Sequence, residues 1–321
     1  MAQVPATPRT QRLLRRLSAA MLGPRRTIER AALQPSEEAA LERRLNARPG
    51  PPVDPVVVFL IPLVGRHHIG DWGEVGRRLA ATVASFRSQT NTRWMALVCG
   101  QDRPGGIGFD SQLRFLPFEE RVEGNDKWAK LGALCHALPG LGIESGYAMP
   151  FDADDLLSRH AVDEMVRRKS AGGYLVTRGF VLDAQSRQVG LCAPQSPRAP
   201  GRKPFWKMCG SCAAFRFDFA GGATGDADFL AAVTAHEHRM FPYLSALAGR
   251  PLAPMRQEAA MYIVNHGENF GARRGRVGFK TRYVTRFPVT GDAALARIAA
   301  DFPAMVAEPG RNAETGAGGR T

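Results

Sequence analysis

Three carboxylates stand within four residues in the run Met149-Pro150-Phe151-Asp152-Ala153-Asp154-Asp155-Leu156-Leu157. The segment before them, Tyr147 to Phe151, is apolar and reads as the end of a buried strand. Carboxylates this close repel one another and are costly to take out of water, so the cluster requires a cation or a cradle of hydrogen bonds. Hard oxygen donors suit Mg²⁺ or Mn²⁺, and such an ion with open positions holds the phosphate oxygens of a substrate. The plain alternative is an acidic turn in which Asp155 or Ser158 caps the helix that follows.

The chain around the cluster alternates between two periodicities. Val56 to Ile61 is a continuous apolar run stopped by Pro62, as in a central strand. Val75, Leu79, Val83 and Phe86 then recur at helical spacing. Trp94 to Cys99 makes a second strand and Leu113 to Leu116 a short third. Trp128, Leu131, Cys135 and Leu138 mark a helix leading into the strand that ends at Phe151, and Val162, Met165 and Val166 mark the next. This alternation predicts an α/β fold with a mostly parallel, Rossmann-like sheet, flanking helices and ligands at the carboxyl ends of the strands. The acidic cluster lies at such an end.

With 321 residues the chain can form one large α/β domain or two small ones. No apolar run approaches the roughly 20 residues of a membrane span, and the Arg-rich start lacks the apolar core of a secretory signal. Five scattered cysteines fit a reducing compartment, so a cytoplasmic protein is expected. Cys209-Gly210-Ser211-Cys212 has CxxC spacing, yet no second pair completes a zinc site.

The net charge of +13 is concentrated. Residues 1–50 hold ten Arg against four Glu, and a second basic block comprises Arg273, Arg274, Arg276, Lys280, Arg282 and Arg286. Such a surplus attracts polyanions. Aromatic residues are not interleaved with the basic ones, which argues against nucleic acid as the partner. Leu13, Leu14, Leu17 and Met21 form a helical stripe beside Arg12, Arg15 and Arg16, a pattern suited to the inner face of an anionic membrane or to the protein's own body. Residues 1–50 are therefore expected as an appended basic helical extension, ended by the break at Arg48-Pro49-Gly50-Pro51-Pro52. Residues 53–306 are expected as the globular domain and 307–321, Gly-rich and polar, as a disordered tail.

Several of these pieces, in this order, resemble one family. A strand closed by Pro, a helix ending in Ser85-Phe86-Arg87-Ser88-Gln89-Thr90 and a Trp-led strand look like the opening of family 2-like glycosyltransferases. Gly146-Tyr147-Ala148-Met149-Pro150-Phe151-Asp152-Ala153-Asp154-Asp155-Leu156-Leu157 is similar to that family's metal-binding segment, and Gly210 to Arg216 resembles its acceptor-side strand. The likeness spans roughly residues 56 to 240.

The resemblance implies a GT-A fold and transfer of a sugar from a nucleotide-sugar donor to a glycan or lipid-linked acceptor. The implied reaction is inverting, as in surface polysaccharide synthesis, with Mn²⁺ or Mg²⁺ bridging the diphosphate. Carried onto this sequence, Asp154 is a metal ligand, Asp152 serves the ribose or the metal, and Asp155 supports or binds the metal. His266 is the late histidine that completes such sites. Arg66 and Asp102 fall where the donor's base would lie, and Lys127 and Lys130 where its phosphates would. An inverting transfer needs a carboxylate base. The family's usual downstream acidic pair is absent, and the nearest candidate is Glu237 in His236-Glu237-His238.

Two alternatives remain. A haloacid-dehalogenase-like phosphatase also uses Asp-x-Asp after a strand, and Gly225-Asp226-Ala227-Asp228 echoes its late acidic motif. A non-catalytic GT-A-like binding protein would keep the fold without the base.

Overall fold

The computed structural model describes residues 3–46, 50–120, 122, 124–222, 224–266 and 277–305. The tail expected at 307–321, and Arg273, Arg274 and Arg276 of the second basic block, lie outside the described residues.

Helices α1 (Arg9–Met21), α2 (Pro24–Arg30) and α3 (Pro35–Asn46) come first. The alternation read from the sequence follows: β1 (Val56–Pro62), α4 (Trp72–Arg87), β2 (Trp94–Gly100), β3 (Leu113–Pro117), α5 (Lys127–Ala137), β4 (Ser145–Pro150), β5 (Leu156–Leu157) and α6 (Ala161–Arg168). Beyond these lie β6 (Gly173–Leu175), β7 (Gly179–Asp183), β8 (Val189–Cys192), β9 (Ala213–Asp218), α7 (Gly225–Thr234), α8 (Phe241–Leu247), β10 (Ala253–Pro254), β11 (Ala260–Val264), α9 (Val277–Arg286) and α10 (Asp292–Asp301).

Seven strands form one sheet in the order β10-β6-β9-β4-β1-β2-β3. Pairings β4–β1, β1–β2, β2–β3 and β10–β6 are parallel, whereas β9 runs antiparallel to both β4 and β6. A second sheet has the order β5-β11-β7-β8. The α/β class and the mostly parallel sheet agree with the sequence reading. The second sheet was not foreseen, because its strands are two to five residues long and leave little periodicity to read.

Central β1 explains its own sequence. Val57 to Ile61 are buried on both faces, which is why the run is continuously apolar rather than alternating. Phe59 stacks on Phe86 of α4 with ring centres 4.1 Å apart, and Phe151 meets both rings edge-on at 5.8 and 5.2 Å. This aromatic cluster fixes the residue immediately before Asp152.

The N-terminal region is not appended. Leu41 of α3 is fully buried and joins the main core, so residues 35–46 belong to the globular body. Arg43 pairs with Asp226 at 2.6 Å and donates to the Arg216 carbonyl at 2.6 Å, while Ser36 Oγ lies 2.6 Å from His236 Nε2. Glu37 is buried and receives Arg15, Tyr243 and Thr7. A long polar stretch thus docks by specific partners, which composition alone does not reveal. Among the described residues, no helix is long and apolar enough to cross a membrane.

Candidate active site

The acidic turn is held from three sides. From below, the Phe151 amide extends the β4–β1 ladder by donating to the Leu60 carbonyl at 2.9 Å, so Asp152 stands at the carboxyl end of β4.

From one side, α4 grips the backbone. Thr82 Oγ1 lies 3.0 Å from the Ala153 carbonyl and 2.8 Å from that of Asp155. Ser85 Oγ accepts from the Leu157 amide at 3.1 Å. Gln89 donates to the Ser158 carbonyl at 2.8 Å and accepts from the Val162 amide at 3.0 Å. The Ser85 to Thr90 segment and the acidic segment, 70 residues apart in the resemblance, are therefore one clamp and its load.

From the other side comes Cys209-Gly210-Ser211-Cys212. Ser211 Oγ accepts from the Asp152 amide at 2.9 Å and donates to Asp155 Oδ2 at 2.5 Å, and the Cys209 thiol donates to the same oxygen at 3.0 Å. The Ile263 amide donates to Asp155 Oδ1 at 3.4 Å. All five cysteines are free and buried.

These contacts correct the expectation for Asp155. It is fully buried, with both oxygens taken by interior donors, so it braces the turn instead of ligating a metal. Burial, reinforced by the charges of Asp154 and Asp152, pushes its carboxyl well above the usual range, against the donors Ser211 and Cys209, which favour the charged form. Neither Asp155 nor Ser158 caps α6, whose N-cap is His160.

Asp152 and Asp154 have other partners. Lys127 Nζ lies 2.5 Å from Asp152 Oδ1, and His266 Nε2 lies 2.9 Å from Asp154 Oδ2. Burial works against ionised Asp154, but the hydrogen bond and charge of His266, with Lys127 behind, hold its carboxyl below the usual range. Burial likewise opposes the Lys127 ammonium, and Asp152 overcomes it.

Lys130 is a second correction. It does not share an accessible face with Lys127: its side chain is fully buried, pairing with Asp126 at 2.8 Å and donating to the Leu63 carbonyl at 2.6 Å. Gln101 donates to the same Asp126 carboxylate at 2.7 Å. Lys130 therefore ties α5 to the ends of β1 and β2 and has no free face for a phosphate. Arg66 and Asp102 do meet at those strand ends, where the Arg66 amide donates to Asp102 Oδ2 at 3.0 Å and the Arg66 side chain faces solvent.

A small cleft of about 80 Å³ opens over Asp152 and Lys127, with Gly210, His236, Glu237 and His238 on its wall. The loop passes close to the carboxylate at Gly210, where a Cβ would stand in ordinary contact with Asp152 Oδ2 at 3.4 Å. Glu237 sits in the turn between α7 and α8, not on a helix face, and meets Arg239 at 3.3 Å. His238 Nε2 is buried without a hydrogen-bond partner, and burial pushes the imidazole down to about 3, so it stays neutral. Lys280 on α9 contacts the Tyr262 hydroxyl and lies within electrostatic reach of Asp152, Asp154 and Asp155; burial lowers its ammonium more than Cys209 and those carboxylates raise it.

Sequence reasoning missed Thr82, Ser211, His238 and Lys280 as parts of this site. Ser211 stands in the Gly210 to Arg216 segment, His238 in His236-Glu237-His238 and Lys280 in the second basic block, whereas Thr82 is a polar residue in an ordinary helix and carried no signal.

Among the described residues no three His, Cys, Asp or Glu side chains already converge as a metal cluster. The donor chemistry nonetheless suits Mn²⁺ or Mg²⁺: two carboxylates of one turn and one imidazole, with Asp152 lining a cleft. An ion binding here would exchange with the Lys127 and His266 contacts. The phosphatase motif finds no such place, since Asp226 is committed to Arg43 and exposed Asp228 meets His136 at 3.3 Å.

A scan against protein-family models finds no match, and a search of curated proteins finds none either.

Proposed function

We propose that the chain is a metal-dependent glycosyltransferase of GT-A type, moving a sugar from a nucleotide-sugar donor to a hydroxyl acceptor with inversion. The observation that carries this reading is the pairing of Asp154 with His266 next to Asp152, which together with Lys127 lines a cleft at the carboxyl end of a central parallel strand.

A divalent ion held by Asp154, Asp152 and His266 would neutralise the diphosphate as it leaves. Lys127 and Lys280 supply further positive charge for the donor phosphates, and the exposed Arg66 beside Asp102 lies where the base end would extend. Glu237, across the cleft from Asp152, accepts the proton of the acceptor hydroxyl as its oxygen attacks the anomeric carbon. The bond between that carbon and the diphosphate oxygen breaks, and the nucleoside diphosphate departs with the electron pair.

A panel of nucleotide sugars, screened for binding and hydrolysis with and without Mn²⁺, tests the reading. Metal-stimulated turnover of one donor supports it. Binding without turnover of donor in the presence of any acceptor would favour a non-catalytic binding protein.

A further inference from the structure

Helix α1 is docked the wrong way round for a globular protein. At about 3.6 residues per turn, positions 12, 15 and 19 share one side of it and positions 13, 14, 17 and 21 the other. The body-facing side is polar: Arg15 pairs with Glu37 at 2.5 Å, Arg12 donates to the Thr7 carbonyl at 2.6 Å, Ser18 Oγ lies 3.0 Å from Thr27 Oγ1, and Ala19 is 1% exposed. The outward side is apolar, with Leu13 59%, Leu14 64%, Leu17 48% and Met21 81% exposed, and Leu22 at the helix end 42%. A surface helix ordinarily buries its apolar stripe and wets its polar one. Here the hydrophobic effect that would turn the stripe inward is overridden by the buried Glu37 carboxylate, which needs Arg15.

Clustering makes the stripe informative. Five of the nine large apolar side chains that are exposed among the described residues lie on this one segment, Leu13 to Leu22. A contiguous apolar patch of this kind marks an interaction surface, whereas scattered single residues do not. Its rim is cationic: Arg9, Arg16, Arg25, Arg26 and Arg30 are exposed and make no ion pair among the described residues. A second copy of the chain would bring two arginine rims together, which like-charge repulsion disfavours. An anionic bilayer satisfies both features, because the leucines enter the acyl boundary while the guanidinium groups stay with the lipid phosphates.

We propose that α1 docks this protein on an anionic membrane surface through Leu13, Leu14, Leu17 and Met21, steered by the surrounding arginines. The cleft then lies close to the membrane. Gln3 lines it and α1 begins at Arg9, so the connecting chain spans about 20 Å at most.

The test is sedimentation of the full chain with phosphatidylcholine vesicles and with vesicles that also contain phosphatidylglycerol. Binding is expected only to the second, weakened by salt as screening predicts. Leu13→Gln, Leu14→Gln, Leu17→Gln and Met21→Gln together keep good helix formers at exposed positions and should weaken binding at least about tenfold. Arg9→Gln, Arg16→Gln, Arg25→Gln and Arg26→Gln together should weaken it by up to about 600-fold, since each basic side chain near the surface contributes about a fivefold factor. Both variants should melt as the wild type does. The proposal is overturned if the wild type ignores anionic vesicles, or if the glutamine variant at the leucines binds unchanged. It is equally overturned if that variant abolishes a concentration-dependent dimer of the wild type, which would make the face a contact between copies.

Discussion

His266 Nε2 lies 2.9 Å from Asp154 Oδ2, although 112 residues separate them in the chain. The contact joins the end of β11 in the small sheet to the turn after β4 in the large one. It sets an imidazole nitrogen beside a carboxyl held below its usual range, the combination that a borderline divalent ion accepts.

Ser211 bridges the Asp152 amide and the Asp155 carboxyl, so Ser211→Ala takes the partner from the Asp152 amide and leaves Asp155 Oδ2 with the Cys209 thiol alone. The expected loss of stability is about 1–3 kcal/mol, read as a shift in the urea midpoint with unchanged slope. An unshifted midpoint would show that the bridge is replaceable.

The two lysines of α5 should behave oppositely. Lys130→Met breaks a fully buried pair with Asp126 and should destabilise the fold by about 3 kcal/mol. Lys127→Met removes a partly exposed partner of Asp152 and should leave melting nearly unchanged while weakening donor binding about tenfold, the scale of one charge-assisted contact. Calorimetry of folding and of donor binding on both variants separates the roles; equal folding defects would refute the assignment.

Much of this was legible beforehand, for identifiable reasons. The strands β1, β2 and β4 are buried on both faces, so their apolar runs betray them, and the acidic segment is conspicuous because clustered charge is rare beside a core strand. The separation of Lys127 from Lys130 was not legible. Helical spacing puts them on adjacent turns, and only the packing of β1 and Asp126 shows which one is enclosed. Asp155 was indistinguishable from Asp154 by residue type; Ser211 and Cys209, more than 50 residues later, make the difference. The docking of α3 depended on Arg43 and Glu37, charges that in sequence look like a solvated face.

Glu237→Gln removes the proposed proton acceptor without changing shape. Sugar transfer should fall at least about 100-fold while donor affinity stays within a few-fold, because a base acts on the chemical step. A matching loss of donor affinity would assign Glu237 to binding, next to Arg239, instead of to catalysis.

His238 stays neutral in the folded chain, whereas in the unfolded chain it takes up a proton near pH 6.5. Its depressed folded value means that the unfolded state binds more protons below about pH 6.5, so the stability it contributes is present above that pH and is lost as pH falls toward about 3. Asp155, raised instead of lowered, acts with the opposite sign, so the comparison is made against a variant. Between about pH 7.5 and pH 5.5 the wild type should lose stability relative to His238→Asn. Parallel pH profiles for the two proteins would contradict the buried neutral imidazole.

The most direct measurement is nucleotide-sugar turnover by wild type and Asp154→Asn, with Mn²⁺ present and after chelation. The wild type should turn over a donor only with the metal, and the variant, folded and melting as before, should be slower by at least about 100-fold, the scale of losing one charged contact at a developing charge. Turnover by the variant at the wild-type rate, or wild-type turnover indifferent to chelation, would contradict the assignment of Asp154 to a metal-dependent transfer site.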